Sequence, residues 1–374
     1  MIFTINRDLL LQNLTSVSKA LSTKAQMPVL TGIKIDVENN KILLTASNSE
    51  ISIQACIDDK KHVKVEEEGT FVAPGKYLIE LVKKTEAKEI YFESFEENAI
   101  KILADKSNFT LNVLSKDDYP VISFADSPTF ITLDAINLKQ IIRKTTFAVS
   151  LSESRVILTG VSVATQGNLL EVVSTDSYRL AKKQIKFNVD YPEIKVVIPG
   201  KSLDELNKIV DEGETLVEVH ISHTKALFKY KNLLYQTRLI DGTFPNTNSL
   251  IPSEFLTSIK FNKNELISAI ERAAVFTNMD SSNIIKLTLN SDKTVEIAST
   301  TNEIGAAQEE LNPIECTNVV PFQIAFSSKY FLEAIKSFDS TEITVHFTGE
   351  VRPFIITGEY DRNLIQLILP VRVS

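Results

Sequence analysis

The apolar positions of this chain change period in a regular cycle. Between residues 6 and 21 they recur every three or four places, with Leu10, Leu14, Val17 and Leu21 on one face, which predicts an amphipathic helix. Segments 135–149 and 262–278 read the same way. Each helix is followed by strand-like alternation. In RVILTGVSVATQGNLLEVVSTDSYRL (155–180), Val161 and Val163 fall on one face, and Ser162 and Ala164 on the other. Gln166-Gly167-Asn168 turns the chain, 169–173 returns, and Ser174-Thr175-Asp176-Ser177 leads out. The same plan occurs in PVLTGIKIDVENNKILLTASNSEIS (28–52) and in SSNIIKLTLNSDKTVEIASTTNEIG (281–305), so that Gly32 aligns with Gly160 and Ser174 with Ser299.

A second helix follows each hairpin, in FVAPGKYLIELVKK (71–84), VVIPGKSLDELNKIV (196–210) and IAFSSKYFLEAIKSF (324–338), with Lys76, Lys201 and Lys329 in register. Alternating strands come next, such as Val217, Val219 and Ile221, or Ile343, Val345 and Phe347. Each cycle ends on an apolar strand and a proline: LNVLSKDDYP, QTRLIDGTFP and LIQLILP. A period of about 125 residues is long enough for each unit to hold its own core. The reading is α+β, with three repeated domains at 1–125, 126–253 and 254–374, each with two helices backed by antiparallel sheets.

Composition narrows the class. Apolar residues are 43% of 374, enough for three cores, yet no run reaches the length of a membrane span. The start, MIFTINRD, lacks a signal-peptide pattern, and the two cysteines, Cys56 and Cys316, make no disulfide framework, so a cytoplasmic protein is expected. The net charge of −8 opposes general nucleic-acid binding, but the helix starts are basic within this acidic chain. A basic helical surface facing phosphates accounts for that partition.

Catalytic patterns fail on inspection. Pro199-Gly200-Lys201-Ser202 imitates the end of a phosphate loop, but the required upstream glycine is Lys195. His220 and His223 lie on a predicted strand at a spacing that puts them on opposite faces, where they read as solvated rather than as metal ligands. No nucleophile elbow is present. Alternatives to a binding protein are a hydrolase with dispersed aspartates such as Asp176 and Asp241, or a scaffold for proteins alone.

Together the threefold repeat, Ser174-Thr175-Asp176-Ser177-Tyr178-Arg179-Leu180, Asp241-Gly242-Thr243-Phe244-Pro245 and Leu369-Pro370-Val371-Arg372 closely resemble the beta subunits of bacterial DNA polymerase III, the sliding clamps, over the whole chain. The resemblance implies the DNA clamp fold, a non-catalytic role without metal or cofactor, and a head-to-tail homodimer forming a six-domain ring around duplex DNA. Twelve helices spaced at about 10 Å leave a bore of roughly 28 Å, which passes a duplex, whereas six leave roughly 9 Å. Sequence-independent phosphate contacts are expected from Lys24, Lys76, Lys139, Arg143, Lys144, Lys201, Lys263 and Arg272. The implied partners are the polymerase catalytic subunit, the clamp loader and other proteins carrying a peptide related to Gln-Leu-x-Leu-Phe. The implied pocket has a wall of Thr175, Tyr178, Arg179, Leu180, Pro245, Leu250, Pro353, Leu367, Leu369, Pro370, Val371 and Arg372, with Tyr178 and Ser249 where relatives often carry histidine and arginine. The alternating strand around Phe109 and Leu111 ends a repeat with no following partner in its own chain, so it is expected to pair with the edge of the third unit of another copy, near Val275 and Phe276.

Overall fold

A computed structural model describes residues 1–22, 27–38, 41–96, 98–277, 283–301 and 305–372. The six expected helices are α1 (Arg7–Val17), α2 (Gly75–Lys84), α3 (Ala135–Thr145), α4 (Gly200–Asn207), α5 (Lys263–Ala274) and α6 (Ser328–Lys336). They are shorter than the apolar periodicity suggested, because α1 and α3 tighten into 3-10 turns at Ser18–Ala20 and Thr146–Ala148. Their starts follow from local chemistry: Asn6 and Asn262 each accept two backbone N–H bonds ahead of α1 and α5, and Ser327 accepts one ahead of α6. The Gly-Lys helix starts of α2 and α4 are packing devices: a Cβ on Gly75 would stand 2.6 Å from Leu21, and one on Gly200 3.0 Å from Val149. The segment expected to open a strand at 155 instead forms 3-10 turns over Glu153–Thr159, and the strand begins at Gly160.

By contact density the chain forms two compact units, one of 1–139 with 205–239 and the other of 140–204 with 240–374, the divisions falling within α3, within α4 and after Leu239. This partition cuts across the middle repeat because the sheets cross the repeat boundaries. In the first unit a five-stranded sheet runs Val63–Glu67, Ile2–Asn6, Glu89–Glu96, Ala99–Ala104, Ser107–Asn112. An eight-stranded sheet joins the first repeat to the second where Leu233–Arg238 pairs with Ile51–Ile57, setting Tyr235 opposite Ile53. In the second unit a nine-stranded sheet joins the second repeat to the third where Leu364–Ile368 pairs with Arg179–Lys186, setting Gln366 opposite Ala181. A four-stranded sheet runs Gly305–Leu311, Val295–Thr301, Ile284–Leu289, Phe322–Ser327. All these pairings are antiparallel. The third repeat's core is aromatic at its centre, where Phe326, Phe331, Phe347 and Phe354 lie against one another with ring centroids 4.8 to 6.0 Å apart.

The strand Arg179–Lys186 departs from simple alternation. Lys182 and Lys183 are buried at 8% and 9% exposure, Lys182 against Glu171 and Lys183 near the buried Lys144. Lys144 donates to Asp361 and, at 2.7 Å, to Asp339, and Gln366 Nε2 donates to the Lys144 carbonyl. Burial alone would raise the Asp361 carboxyl, but hydrogen bonds from Lys144 and Ser340 outweigh it and hold the group below its usual range. Burial and the neighbouring Lys144 push the Lys183 ammonium down. A depressed carboxyl stabilises the fold above its unfolded value, near pH 4, and loses that contribution as pH falls through the folded value. Asp361→Asn should therefore cost about 3 kcal/mol or more at pH 7, because it leaves Lys144 without its buried partner. It should also flatten the acid limb of stability below about pH 4. Denaturant unfolding across pH checks both, and wild-type stability at pH 7 would contradict the assignment.

Candidate nucleic-acid and partner-binding surfaces

The expected phosphate contacts divide into three groups. Lys76 and Lys201 are exposed at the starts of α2 and α4, and Arg143 is exposed on α3. Lys24 lies outside the described residues. The other four are engaged elsewhere, and for these the expectation is corrected. Lys139 Nζ donates to the carbonyls of Asn207 and Val210 at 2.9 and 2.7 Å, and Lys263 Nζ donates to Phe338 O at 2.7 Å. Arg7, in the first repeat, similarly donates to Val82 O and Lys83 O. In every repeat a cation from the first helix caps the carbonyl end of the second, where unpaired C=O groups and the helix dipole attract positive charge. Lys144 is 4% exposed in its carboxylate pair, so it cannot reach a phosphate. Arg272 holds Glu309 in a two-pronged ion pair at 2.9 and 2.7 Å.

The polar elbow at 174–180 is built by its own side chains. Asp176 Oδ1 accepts the N–H groups of Tyr178 and Arg179, which lets Ser177 adopt φ 79°, and Asn48 and Ser49 (φ 76°) make the same turn in the first repeat. Thr175 Oγ1 donates to Arg179 O at 2.6 Å. Arg179 is 8% exposed: it bonds Asp176, Glu333 and Phe147 O, and its guanidinium lies 4.4 Å from the Tyr330 ring centroid. It is therefore a brace behind the surface rather than a wall residue that a ligand would touch.

The structure brings most of the expected pocket residues together and sorts them by depth. Leu180 and Leu367 face each other in the sheet and are 2% and 3% exposed, in a buried cluster with Leu158, Val173, Val197, Phe244 and Ile355. Tyr178 (62% exposed), Leu250 (53%), Leu369 (36%) and Val371 (37%) are exposed apolar residues, with Pro245 and Arg372 exposed and Pro353 and Pro370 half-buried. Two hydrogen bonds fix the terminal segment: Leu369 N to Tyr178 O at 2.9 Å, and Val371 N to Ala325 O at 2.7 Å. Sequence reading named Pro245 and missed Phe244 beside it, and missed Leu158 and Ile355. Phe244 was legible as the one large apolar residue of Asp241–Pro245 whose neighbours are all polar, glycine or proline.

His220 is also corrected. It is 6% exposed, with Nδ1 2.8 Å from Ser127 O, Nε2 3.1 Å from Glu218, and its ring stacked on Phe130. The opening segment of the second repeat covers it, which strand periodicity alone does not reveal. Phe109 (37% exposed) and the half-buried Leu111 lie on the edge strand Ser107–Asn112, whereas Val275 (61% exposed) and Phe276 follow α5. Phe276 lies beside Gly305, the first residue of the other open edge strand. Among the described residues no group of three His, Cys, Asp or Glu could hold a metal ion, and no helix is long and apolar enough to cross a membrane.

Helix pairs backed by antiparallel sheets, with strands passed from one repeat to the next, define a repeat protein of the DNA clamp class. The sequence matches the DNA polymerase III beta subunit family models for the N-terminal domain over residues 1–123, the central domain over 132–246 and the C-terminal domain over 248–372. It is 40% identical over 379 residues to the beta sliding clamp of Bacillus subtilis, covering 99% of each chain. The crystal structure of the Bacillus subtilis sliding clamp superposes with a TM-score of 0.96 at 39% identity, and that of the Streptococcus pyogenes beta subunit with 0.95 at 31%, each covering 100% of both chains. The chain belongs to the DNA polymerase III beta subunit family, the beta sliding clamps. It is accordingly a non-catalytic processivity subunit of DNA replication.

Arg179 carries the prediction for this site. Arg179→Lys keeps the charge but loses the fork that serves two carboxylates and a carbonyl, and should destabilise the second compact unit by about 3 kcal/mol. Denaturant melts measure it, and a change under about 0.5 kcal/mol, the usual effect of a surface substitution, would refute the bracing role.

Proposed function

We propose that two copies of this chain close head to tail into a six-domain ring on duplex DNA, with the repeats at 1–125, 126–253 and 254–374. The observation that carries this reading is a mismatch in strand partners. Three strands end the repeats: Ser107–Asn112, Leu233–Arg238 and Leu364–Ile368. Three strands stand ready to receive them: Ile51–Ile57, Arg179–Lys186 and Gly305–Leu311. The second and third closing strands pair with the first and second receiving strands. Ser107–Asn112 and Gly305–Leu311 are left as open sheet edges. Open edges are ordinarily paired or blunted, and here each has the partner type the other supplies, so a second copy satisfies both twice.

Within the ring, Lys76, Lys201 and Arg143 contact phosphates without reading bases. The rim of Tyr178, Leu250, Leu369 and Val371 over the Leu180 and Leu367 floor takes the apolar anchors of a short peptide on the polymerase catalytic subunit, the clamp loader and other clamp-motif proteins. The protein works in the cytoplasm.

The ring is tested by loading the protein on nicked circular DNA. It should stay on circles when salt rises and leave when the DNA is cut linear; loss from intact circles by salt alone would mean surface binding. Lys76→Glu with Lys201→Glu should lower retention equally for any sequence, and a sequence preference would contradict it. For the pocket, Leu180→Ala is a poor probe, since a floor leucine costs about 2–5 kcal/mol of stability when truncated. Leu369→Ala should weaken peptide affinity about 30-fold, the effect of one hot-spot anchor worth about 2 kcal/mol. Fluorescence polarisation measures it, and unchanged affinity in a folded protein would place the pocket elsewhere.

A further inference from the structure

The repeats allow side chains to be compared at equivalent points of each joint. Ser174 Oγ donates to Thr145 O at 2.5 Å and Ser299 Oγ to Ala273 O at 2.7 Å, so Lys144 on α3 and Arg272 on α5 are counterparts. The matching caps of Asn6 and Asn262 put Ser16 at that point in the first repeat. On the other side of the joint, Arg7 N donates to Lys88 O and Lys263 N to Thr341 O, making Glu86 the counterpart of Asp339.

Where the second repeat meets the third, these two positions bond: Lys144 Nζ lies 2.7 Å from Asp339 and also binds Asp361. Where the first meets the second, Ser16 supplies no cation, and the bond from Ala135 N to Thr215 O puts Gly213 at the acidic position, so neither charge is present. The remaining pair is Arg272 and Glu86. They flank the edge strands Ser107–Asn112 and Gly305–Leu311. Glu86 lines a cavity of about 1210 Å³ between α2 and the edge strand Ser107–Asn112, together with Asp105, Phe109, Leu111 and the exposed Tyr77. Arg272 stands 59% exposed beside the other edge strand, its fork on Glu309.

We infer that Arg272 of one copy binds Glu86 of the other, reproducing between copies the ion pair that Lys144 and Asp339 make within the chain. The inference rests on the head-to-tail dimer proposed above and adds its ionic partner and register. By the spacing of the two pairings within the chain, Phe109 of one copy falls opposite Ala307 of the other, and Ser107 opposite Glu309. Arg272 keeps Glu309 on one edge of its guanidinium and turns its remaining N–H groups to Glu86, serving two carboxylates as Lys144 does. The basic side chain sits on the third repeat and the acidic one on the first, so like ends do not match. This polarity favours head-to-tail over head-to-head closure.

The test is dimer affinity by sedimentation velocity over a dilution series, with circular dichroism melts confirming that each exposed-site variant is folded. Glu86→Arg and Arg272→Glu should each raise the dimer Kd about tenfold or more, and combining both substitutions in one chain should recover most of the loss. In a chain with both native cysteines replaced by serine, Glu86→Cys with Arg272→Cys should form a cross-link between copies under mild oxidation. A wild-type chain that stays monomeric would overturn the dimer itself. A dimeric wild type with single reversals inside twofold, with losses that simply add in the swapped chain, or with no cross-link would overturn this ion pair while leaving the dimer standing.

Discussion

The architecture depends on one constraint: a sheet edge presents backbone N–H and C=O groups that need partners. Each repeat ends one strand short of satisfying its neighbour. The strand that closes a repeat lies against the strand that leaves the preceding repeat's elbow, so each pairing is both a fold element and a joint. Tyr235 opposite Ile53 and Gln366 opposite Ala181 are the same contact in two places. Because the joints are sheet interiors rather than linkers, contact density groups the chain by sheets and not by repeats.

The joints share backbone geometry and differ in side-chain chemistry. Where the first repeat meets the second, neutral polar groups suffice, with Asn232 Nδ2 bonded to Asn13 and to Cys56 O. Where the second meets the third, Arg179, Lys182, Lys183 and Lys144 are all buried among carboxylates. Buried ion pairs are weak sources of net stability but strong sources of specificity, since a wrong partner leaves a charge stranded. In a chain with three interchangeable closing strands, that is a physical means of selecting the right pairing. The same joint carries exposed apolar residues, so the brace at Arg179 and the surface at Tyr178 and Leu369 are parts of one elbow.

Repetition made the fold legible. Helix periodicity, the recurring hairpins and the proline-ended strands placed six helices and their order, and the helices end earlier than expected where 3-10 or single turns replace the last helical turn. Leu180 and Leu367, expected together, do face each other across the sheet. The depth of the expected residues was not legible, since Leu180 lies inside the sheet opposite Leu367, whereas Tyr178 precedes the strand, in the turn held by Asp176, and stays exposed. A strand without a successor could be suggested from the sequence at Ser107–Asn112, but only the sheet order put Gly305–Leu311 at an edge as well.

By itself the sequence determined the number of repeats, the elements within each, and the family, because these rest on local periodicity and short-range motifs. What the cations do was decided by tertiary structure alone. Lys139, Lys144, Lys263 and Arg272 look alike along the chain as basic residues on amphipathic helices. Two of them cap carbonyls of a helix whose end lies about 70 residues further on, one is buried against aspartates from another repeat, and one grips a neighbouring strand. A charge on a helix has the same sequence signature whether it faces water, a phosphate or a helix end. Only the three-dimensional approach of segments distant in the chain decides which of these it meets.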